Sequence, residues 1–543
     1  MSVLSPSKRI RLSTIISLVA LLIFAFFIRL YDIEHIPAGI YPDEAANGVD
    51  AIHALETKTF ELFYPANFGR EGFFINLQAL SIAFFGNTIL GLKLWSAIFG
   101  TLSVLGIYLL GKELFHRRGV GLLAAFMLAT SYWAINFSRI GFRAIMTTFL
   151  LSFSFYFLFR GLRTKKPLYF LFAGLIFGLG LHTYIAFRVA PLILILLLPV
   201  LMLSYECFLS RFWKHIALFL FGAFLTASPM LYHFFLSHPD DFASRSSHIS
   251  VFSPQINHGD LLGTLAKTFS ISLIKYNFFG DQNWRHNYPP YPILDPITGA
   301  LFIAGFLFIV SQTVILFGRR FRDKDRDTRL VTNVFLLGIF FTMLVPEFLT
   351  DEGLPHALRS IGTQTPVFLL AGLAAFWMVK KAFHSPWGTR IIFLSFLAIA
   401  LGTSALFNLT KYFVFFAKSE KAAASFNETY TNMGRYLLTL PAETHKYLLI
   451  DKNGNTDRFH LPVFAHPTYF LTYGRVANLE IINQETKFRQ PGIILMLHYD
   501  QTIADQFKNF YPDAFTKHID MNGPERNGGD FDIIVLPPIK NHP

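Results

Sequence analysis

Eleven stretches of this chain are apolar over nearly the length needed to cross a bilayer: 12–30, 90–111, 119–137, 142–159, 168–186, 189–209, 213–235, 297–317, 330–348, 361–379 and 391–409. About 20 mostly apolar residues in a helix span the hydrocarbon core. Lipid offers no water to a backbone, so such segments close their own hydrogen bonds as helices. The expected fold class is therefore all-α: a polytopic membrane bundle of about eleven spans. Composition agrees, because only 15% of the 543 residues are charged, against about 25% in soluble proteins. The apolar segment 72–86 is too short to cross and reads as a juxtamembrane helix in the first external loop.

The net charge of +12 would suit nucleic-acid binding if the basic residues formed one patch. They do not. With the N-terminus in the cytoplasm, basic residues fall in alternate segments: Lys8, Arg9 and Arg11; Lys112, Arg117 and Arg118; Arg160 to Lys166; Arg211 and Lys214; Arg319 to Arg329; Lys380, Lys381 and Arg390. Those segments hold 21 basic and 5 acidic residues. Short loops rich in Lys and Arg stay on the cytoplasmic side, so the charge reads as a topological anchor and no nucleic-acid partner is expected. The basic N-terminus and the run after it resemble a signal peptide, but no small-residue cleavage site follows, so the first helix is read as retained. The single cysteine, Cys207, excludes an internal disulfide and a thiolate cluster.

The expected domains are a membrane domain over 1–410 and a C-terminal region over 411–543 of ordinary soluble composition. There, Tyr447–Ile450, Ile493–Leu497 and Ile533–Leu536 read as buried strands, and 420–440 and 501–510 as helices, giving a small α/β domain. The topology places it outside the cytoplasm.

The chemistry-bearing residues collect in the external segments 31–89, 236–296 and 349–360 and in two helix turns. Asp43 and Glu44 stand together in Tyr41-Pro42-Asp43-Glu44-Ala45-Ala46-Asn47-Gly48, just beyond the first span. Carboxylates near lipid lose solvation, so they face polar cavities and act there; the competing reading is that both cap a helix starting near Ala45. Arg70 and Glu71 follow in the same loop. Arg139 and Arg143 lie in a turn between spans, and His182 in the next one. The long loop carries Trp284, Arg285 and His286, and a later one His356 and Arg359. A guanidinium grips two phosphate oxygens at once, and a facing carboxylate suits a general base or a metal ligand. Together they suit displacement of a lipid phosphate by a hydroxyl. The competing reading has Arg139 and Arg143 snorkelling to headgroups, as Arg29 and Lys93 are expected to do at span ends. It makes His182 a bonded packing residue and the aromatics an interfacial belt.

These residues resemble the GT-C class of membrane glycosyltransferases, most nearly the bacterial protein O-mannosyltransferase and aminoarabinose lipid A transferase group. The resemblance is carried by Asp43-Glu44, by "LGLKLWSAIFGTLSVLGIYLLGKELF", by "YWAINFSRIGFRAIM", and by "GDQNWRHNYPPYPILDP" with "DEGLPHALRSIGTQTP". It covers residues 10–410 and departs from the family around Gly69-Arg70-Glu71-Gly72, where many relatives have a proline-rich turn. It implies a polyprenyl-phosphate sugar donor and inverting transfer on the extracytoplasmic face of the inner membrane. The acceptor is a glycan, lipid or protein.

That resemblance implies that Asp43 is the base or a metal-linked acid and that Arg139 contacts the donor phosphate. The chemistry of the residues themselves adds Glu44 as a catalytic candidate, Arg143, Arg285 and Arg359 as phosphate contacts, and Arg70, Glu71, His182, Trp284, His286 and His356 as substrate contacts. Members differ in metal use, so a divalent ion stays open. A transporter or flippase of lipid-linked glycans is the rival reading; it would need polar or broken helices at mid-membrane depth, whereas the polar groups here gather at one face. A glycan ligase or polymerase, sharing the same substrates, is a further alternative.

Overall fold

The computed structural model describes residues 6–66, 69–243, 250–450, 456, 461–482, 490–498, 500–522 and 528–537. Residues 244–249 of the long loop and the side chains of Lys8, Arg9 and Arg11 lie outside this set. Two compact units emerge. The first contains Met1–Tyr31, Phe68–Phe74 and Ser96–Tyr412; the second contains Asp32–Asn67, Ile75–Trp95 and Phe413–Pro543. The second unit therefore draws on the loop after the first span as well as on the C-terminal region.

The helices run in order as α1 (Pro6–Leu30), α2 (Pro42–Thr57), α3 (Gly72–Phe85), α4 (Ile89–Phe115), α5 (Arg118–Thr130), α6 (Tyr132–Ser138), α7 (Ile145–Thr164), α8 (Pro167–Leu179), α9 (Pro191–Ser204), α10 (Phe208–Tyr232), α11 (Leu261–Ile274), α12 (Pro296–Arg322), α13 (Arg329–Phe348), α14 (Gln364–Phe383) and α15 (Trp387–Thr410). Among the described residues, nine helices are long and apolar enough to cross a membrane, or ten if α5 and α6 form one bent span. This amends the expected eleven at two places. The stretch 119–137 breaks at Ser131, whose extended backbone (φ −65, ψ 131) turns α6 by 63° from α5. The stretch 168–186 is a shorter apolar helix ending at His182. The juxtamembrane helix expected over 72–86 is α3. Outward-facing side chains such as Ile195, Phe224 and Ile392 are each at least 65% exposed. Such faces are at home only in lipid.

In the first unit α8 packs against α10 through glycine. A Cβ at Gly174 would sit 2.0 Å from the Phe219 carbonyl oxygen, and one at Gly178 2.1 Å from that of Ala223. Two small residues four apart let helix backbones approach in a membrane, where dispersion contacts replace the hydrophobic drive.

The second unit holds a five-stranded sheet. Its strands, numbered after the short β1 (Phe63–Tyr64) and β2 (Arg70–Glu71), are β3 (His445–Leu449), β4 (Leu479–Ile482), β5 (Gly492–Met496), β6 (Phe515–Ile519) and β7 (Phe531–Leu536), in the order β4-β3-β5-β7-β6. The first three are parallel, and β7 runs antiparallel to both β5 and β6. Residues alternate between two cores, as the period of two requires. Tyr447, Leu449, Ile494 and Met496 meet Ile503 and Phe507 of the helix Gln501–Phe510. Leu448, Ile450, Leu495 and Ile533 meet Met433 and Leu437 of the helix Glu428–Leu437. The strands and helices expected over 411–543 are present; β4, β6 and the helix His466–Thr472 were not foreseen. That helix packs Phe470 against Gly48 of α2.

A buried ion pair braces the first unit. Lys275, just past α11, and Glu347, near the end of α13, are both fully buried and directly bonded. Removing one partner of a buried pair leaves an uncompensated charge, whereas replacing both with apolar groups is often neutral. Glu347→Gln is therefore expected to destabilise the protein by about 3–5 kcal/mol. Lys275→Met with Glu347→Leu should stay near the parent. Thermal unfolding in detergent distinguishes them; equal losses in both variants would show that the pair carries no such coupling.

Candidate functional site

The acidic pair sits in the first turn of α2, with Pro42 at the first helical position and Tyr41 as the N-cap. A proline there loses no hydrogen bond, and its φ suits the helix. Glu44, three residues past the cap, accepts the Tyr41 backbone N–H at 3.1 Å. Its carboxylate also lies 3.8 Å from the Lys93 ammonium, with both side chains fully buried. Lys93 donates further to the Gly39 carbonyl at 3.4 Å. Glu44 is thus a helix cap and the partner of a buried lysine, and Lys93 does not snorkel. Of the acidic pair, Asp43 is the member partly open to solvent.

In the first unit, Glu71 receives two arginines. Arg143 Nε lies 2.8 Å from one carboxylate oxygen and Arg188 Nη2 3.1 Å from the other. Arg143 is delivered by the turn after α6, and Arg188 by the 3₁₀ turn Ile185–Val189. Arg188 also stacks on Phe234, its guanidinium 4.4 Å from the ring centre. Two guanidiniums on one carboxylate leave a net positive charge, and Arg143 and Arg188 keep 13% and 12% side-chain exposure. Arg70 beside them is buried.

Arg139 stands elsewhere. It ends α6, is fully buried, donates to the Ile28 carbonyl at 2.7 Å and lies over the Tyr412 ring. Arg29 is also fully buried, donating to the Ala25 carbonyl at 3.0 Å. The snorkelling expected of Arg29 is therefore corrected: helix carbonyls at the α1 end draw the guanidiniums inward.

A third constellation centres on Asp281. Its Oδ2 accepts the Ala357 N–H at 2.7 Å and lies 3.0 Å from His286 Nδ1 and 4.0 Å from His356 Nδ1. Its Oδ1 accepts the Asn283 N–H at 2.8 Å. The imidazole rings of His286 and His356 are 4.6 Å apart. One ligand atom from each of the three residues lies within 4.8 Å of the others. Two imidazoles and a carboxylate form a donor set that suits zinc-like ions. Lys275 and Glu347 adjoin this cluster, because Glu347 Oε1 accepts the His356 N–H at 2.9 Å. Burial draws the Lys275 ammonium below its ordinary range, against the attraction of Glu347.

The other expected residues divide. Arg285, held below its usual range by burial, donates its Nε–H to Asn283 Oδ1 at 2.9 Å, and its carbonyl accepts from Asn136 Nδ2 at 2.8 Å. Arg359 folds onto its own loop, bonding the Glu352 carboxylate at 2.6 Å and Thr350 Oγ1 at 2.7 Å. His182 is buried, its Nε2 2.7 Å from the Thr226 carbonyl oxygen, as its packing alternative foresaw. Trp284 packs edge-on against Tyr288. Sequence reasoning quoted Asp281 within its motif without singling it out, and it missed Lys275 and Glu347. An aspartate followed by a histidine five residues on was the available signal; the third member is remote in sequence.

Against known proteins, residues 73–233 match the family model described as dolichyl-phosphate-mannose-protein mannosyltransferase. Among curated protein sequences no match is found. Among solved structures, the chain resembles ArnT from Cupriavidus metallidurans bound to undecaprenyl phosphate, with TM-score 0.52 and 12% identity over 97% of this chain and 99% of that one. The apo state of ArnT gives TM-score 0.51 and 12% identity over 96% and 97%. At that identity the likeness establishes the fold, and it runs the length of both chains. The chain thus carries a segment matched by the dolichyl-phosphate-mannose-protein mannosyltransferase family model within a fold similar to that of ArnT.

Proposed function

We propose that the protein transfers a sugar from a polyprenyl-phosphate donor to a hydroxyl acceptor on the extracytoplasmic face of the inner membrane, with inversion. The observation that carries this reading is the division of labour in α2: Glu44 is held by its helix and Lys93, while Asp43 beside it is partly exposed. The bound undecaprenyl phosphate in ArnT, a protein of the same fold, supports the donor class. The basic loops support the orientation, with a cytoplasmic N-terminus and an extracytoplasmic C-terminal region.

The acceptor oxygen attacks the anomeric carbon as Asp43 takes its proton. The carbon–oxygen bond to phosphate breaks, and the lipid phosphate leaves with that electron pair. Arginine stabilises the developing charge. Arg143, with surplus positive charge beside Glu71, and Arg285 are the favoured contacts; Arg139 and Arg359 are bound into the fold. Asp43→Asn keeps shape and removes the base, so transfer should fall by about 10²–10⁴-fold with folding intact. Glu44→Gln should lower thermal stability as well as rate. The checks are transfer of radiolabelled sugar from the lipid donor and thermal unfolding; near-normal turnover in Asp43→Asn would eliminate the mechanism.

The Asp281, His286 and His356 trio is read as a divalent-cation site. When bound, the ion would supply fixed positive charge and tie the 280–287 loop to the 353–358 loop. Metal analysis of protein purified with zinc should return about one ion per chain, as one three-residue ligand set implies. His286→Ala and His356→Ala should each lose it. A parent protein that binds none would leave the trio as a hydrogen-bonded brace.

A further inference from the structure

A polar cavity lies at the far end of α13 from Glu347, about 30 Å along that 20-residue helix. It measures about 310 Å³ and opens where α4 and α7 end and where α10 and α13 begin. Arg163, Lys165 and Arg211 supply positive charge to its wall. Helix N-termini favour anions, and two helices start here. The apolar part of the lining comes from Phe159, Phe212 and Val331.

One acid interrupts this lining. Glu113 is buried, held by Arg160 at 3.2 Å and bidentately by Arg163. That engages the charge of Arg163 but leaves Lys165 and Arg211, both exposed, which form no ion pair among the described residues. The chemistry is therefore mixed: two available cations, two helix starts, an apolar wall and an acceptor carboxylate. A free phosphate dianion would make no use of the apolar wall. A phosphodiester carries a single charge, has carbon on both sides, and can present hydroxyls to the carboxylate.

We propose that this cavity binds the headgroup of an anionic phospholipid, a second lipid site independent of the donor reading. The phosphodiester lies against Lys165 and Arg211, the glycerol hydroxyls donate to Glu113, and the acyl chains leave past Phe159 into the bilayer. Basic pockets between spans on the cytoplasmic side hold such headgroups elsewhere.

The test uses the full chain in detergent, stripped of lipid and then given phosphatidylglycerol, phosphatidylcholine or inorganic phosphate. Native mass spectrometry counts retained lipid, and thermal unfolding reports stabilisation. Phosphatidylglycerol should be retained in preference to phosphatidylcholine. Lys165→Gln with Arg211→Gln should weaken its retention about 30-fold, the effect of two interfacial cations. Arg211→Lys should preserve it, and Arg117→Gln on the same basic face should not matter. Inorganic phosphate should not stabilise the protein. Unchanged retention in the double variant, or equal retention of phosphatidylcholine, would overturn the proposal. Equal stabilisation by inorganic phosphate would replace it with a soluble-anion site.

Discussion

The constraint on which the structure rests is the cost of removing charge from water. In a chain that is mostly apolar, each buried ion needs a partner of opposite sign or a set of backbone oxygens. The fold meets this in several ways. Lys275 faces Glu347, Lys93 faces Glu44, Glu71 faces two arginines, and Arg29 and Arg139 reach helix carbonyls. All of these except the Arg29 contact join residues more than 45 positions apart in sequence. They fix which helix ends meet, a job that apolar contact in lipid does poorly because every face is equally greasy.

The same constraint separates chemistry from architecture. A side chain with all its charge compensated by the fold has little left for a substrate. Glu44 is bound up in this way, and Arg139 and His182 are buried against backbone carbonyls. Asp43, Arg143 and Arg285 keep partial exposure, and the Asp281 cluster gathers donors with no apolar purpose. Sites of this kind emerge from comparing neighbours, such as Asp43 with Glu44, that look alike in one dimension.

Much of the fold was legible because its signals are local. Hydrophobic length marks a span, a short apolar run marks a buried strand such as Tyr447–Ile450, and the acids Asp43 and Glu44 mark a helix start. What was not legible is non-local. The break at Ser131 needs only an extended φ/ψ at one residue, which no composition signal announces. The burial of Arg29 and Lys93 depends on partners from other helices, so a rule about span ends predicted the opposite. β6, with most of its residues exposed, shows no alternation to detect. Likewise, the pairing of Asp281 with His356 spans a helix hairpin that the sequence read only as two spans.

The glycine contact between α8 and α10 bears on how the chain is made. The helix Pro167–His182 is short for the bilayer, a mismatch that costs fractions of a kcal/mol for each ångström. Its close seat against α10 supplies what length does not. Yet α10 begins at Phe208, after α9 has already been synthesised. During synthesis α8 therefore emerges before the helix that seats it, and the glycine contact forms only once α10 has followed.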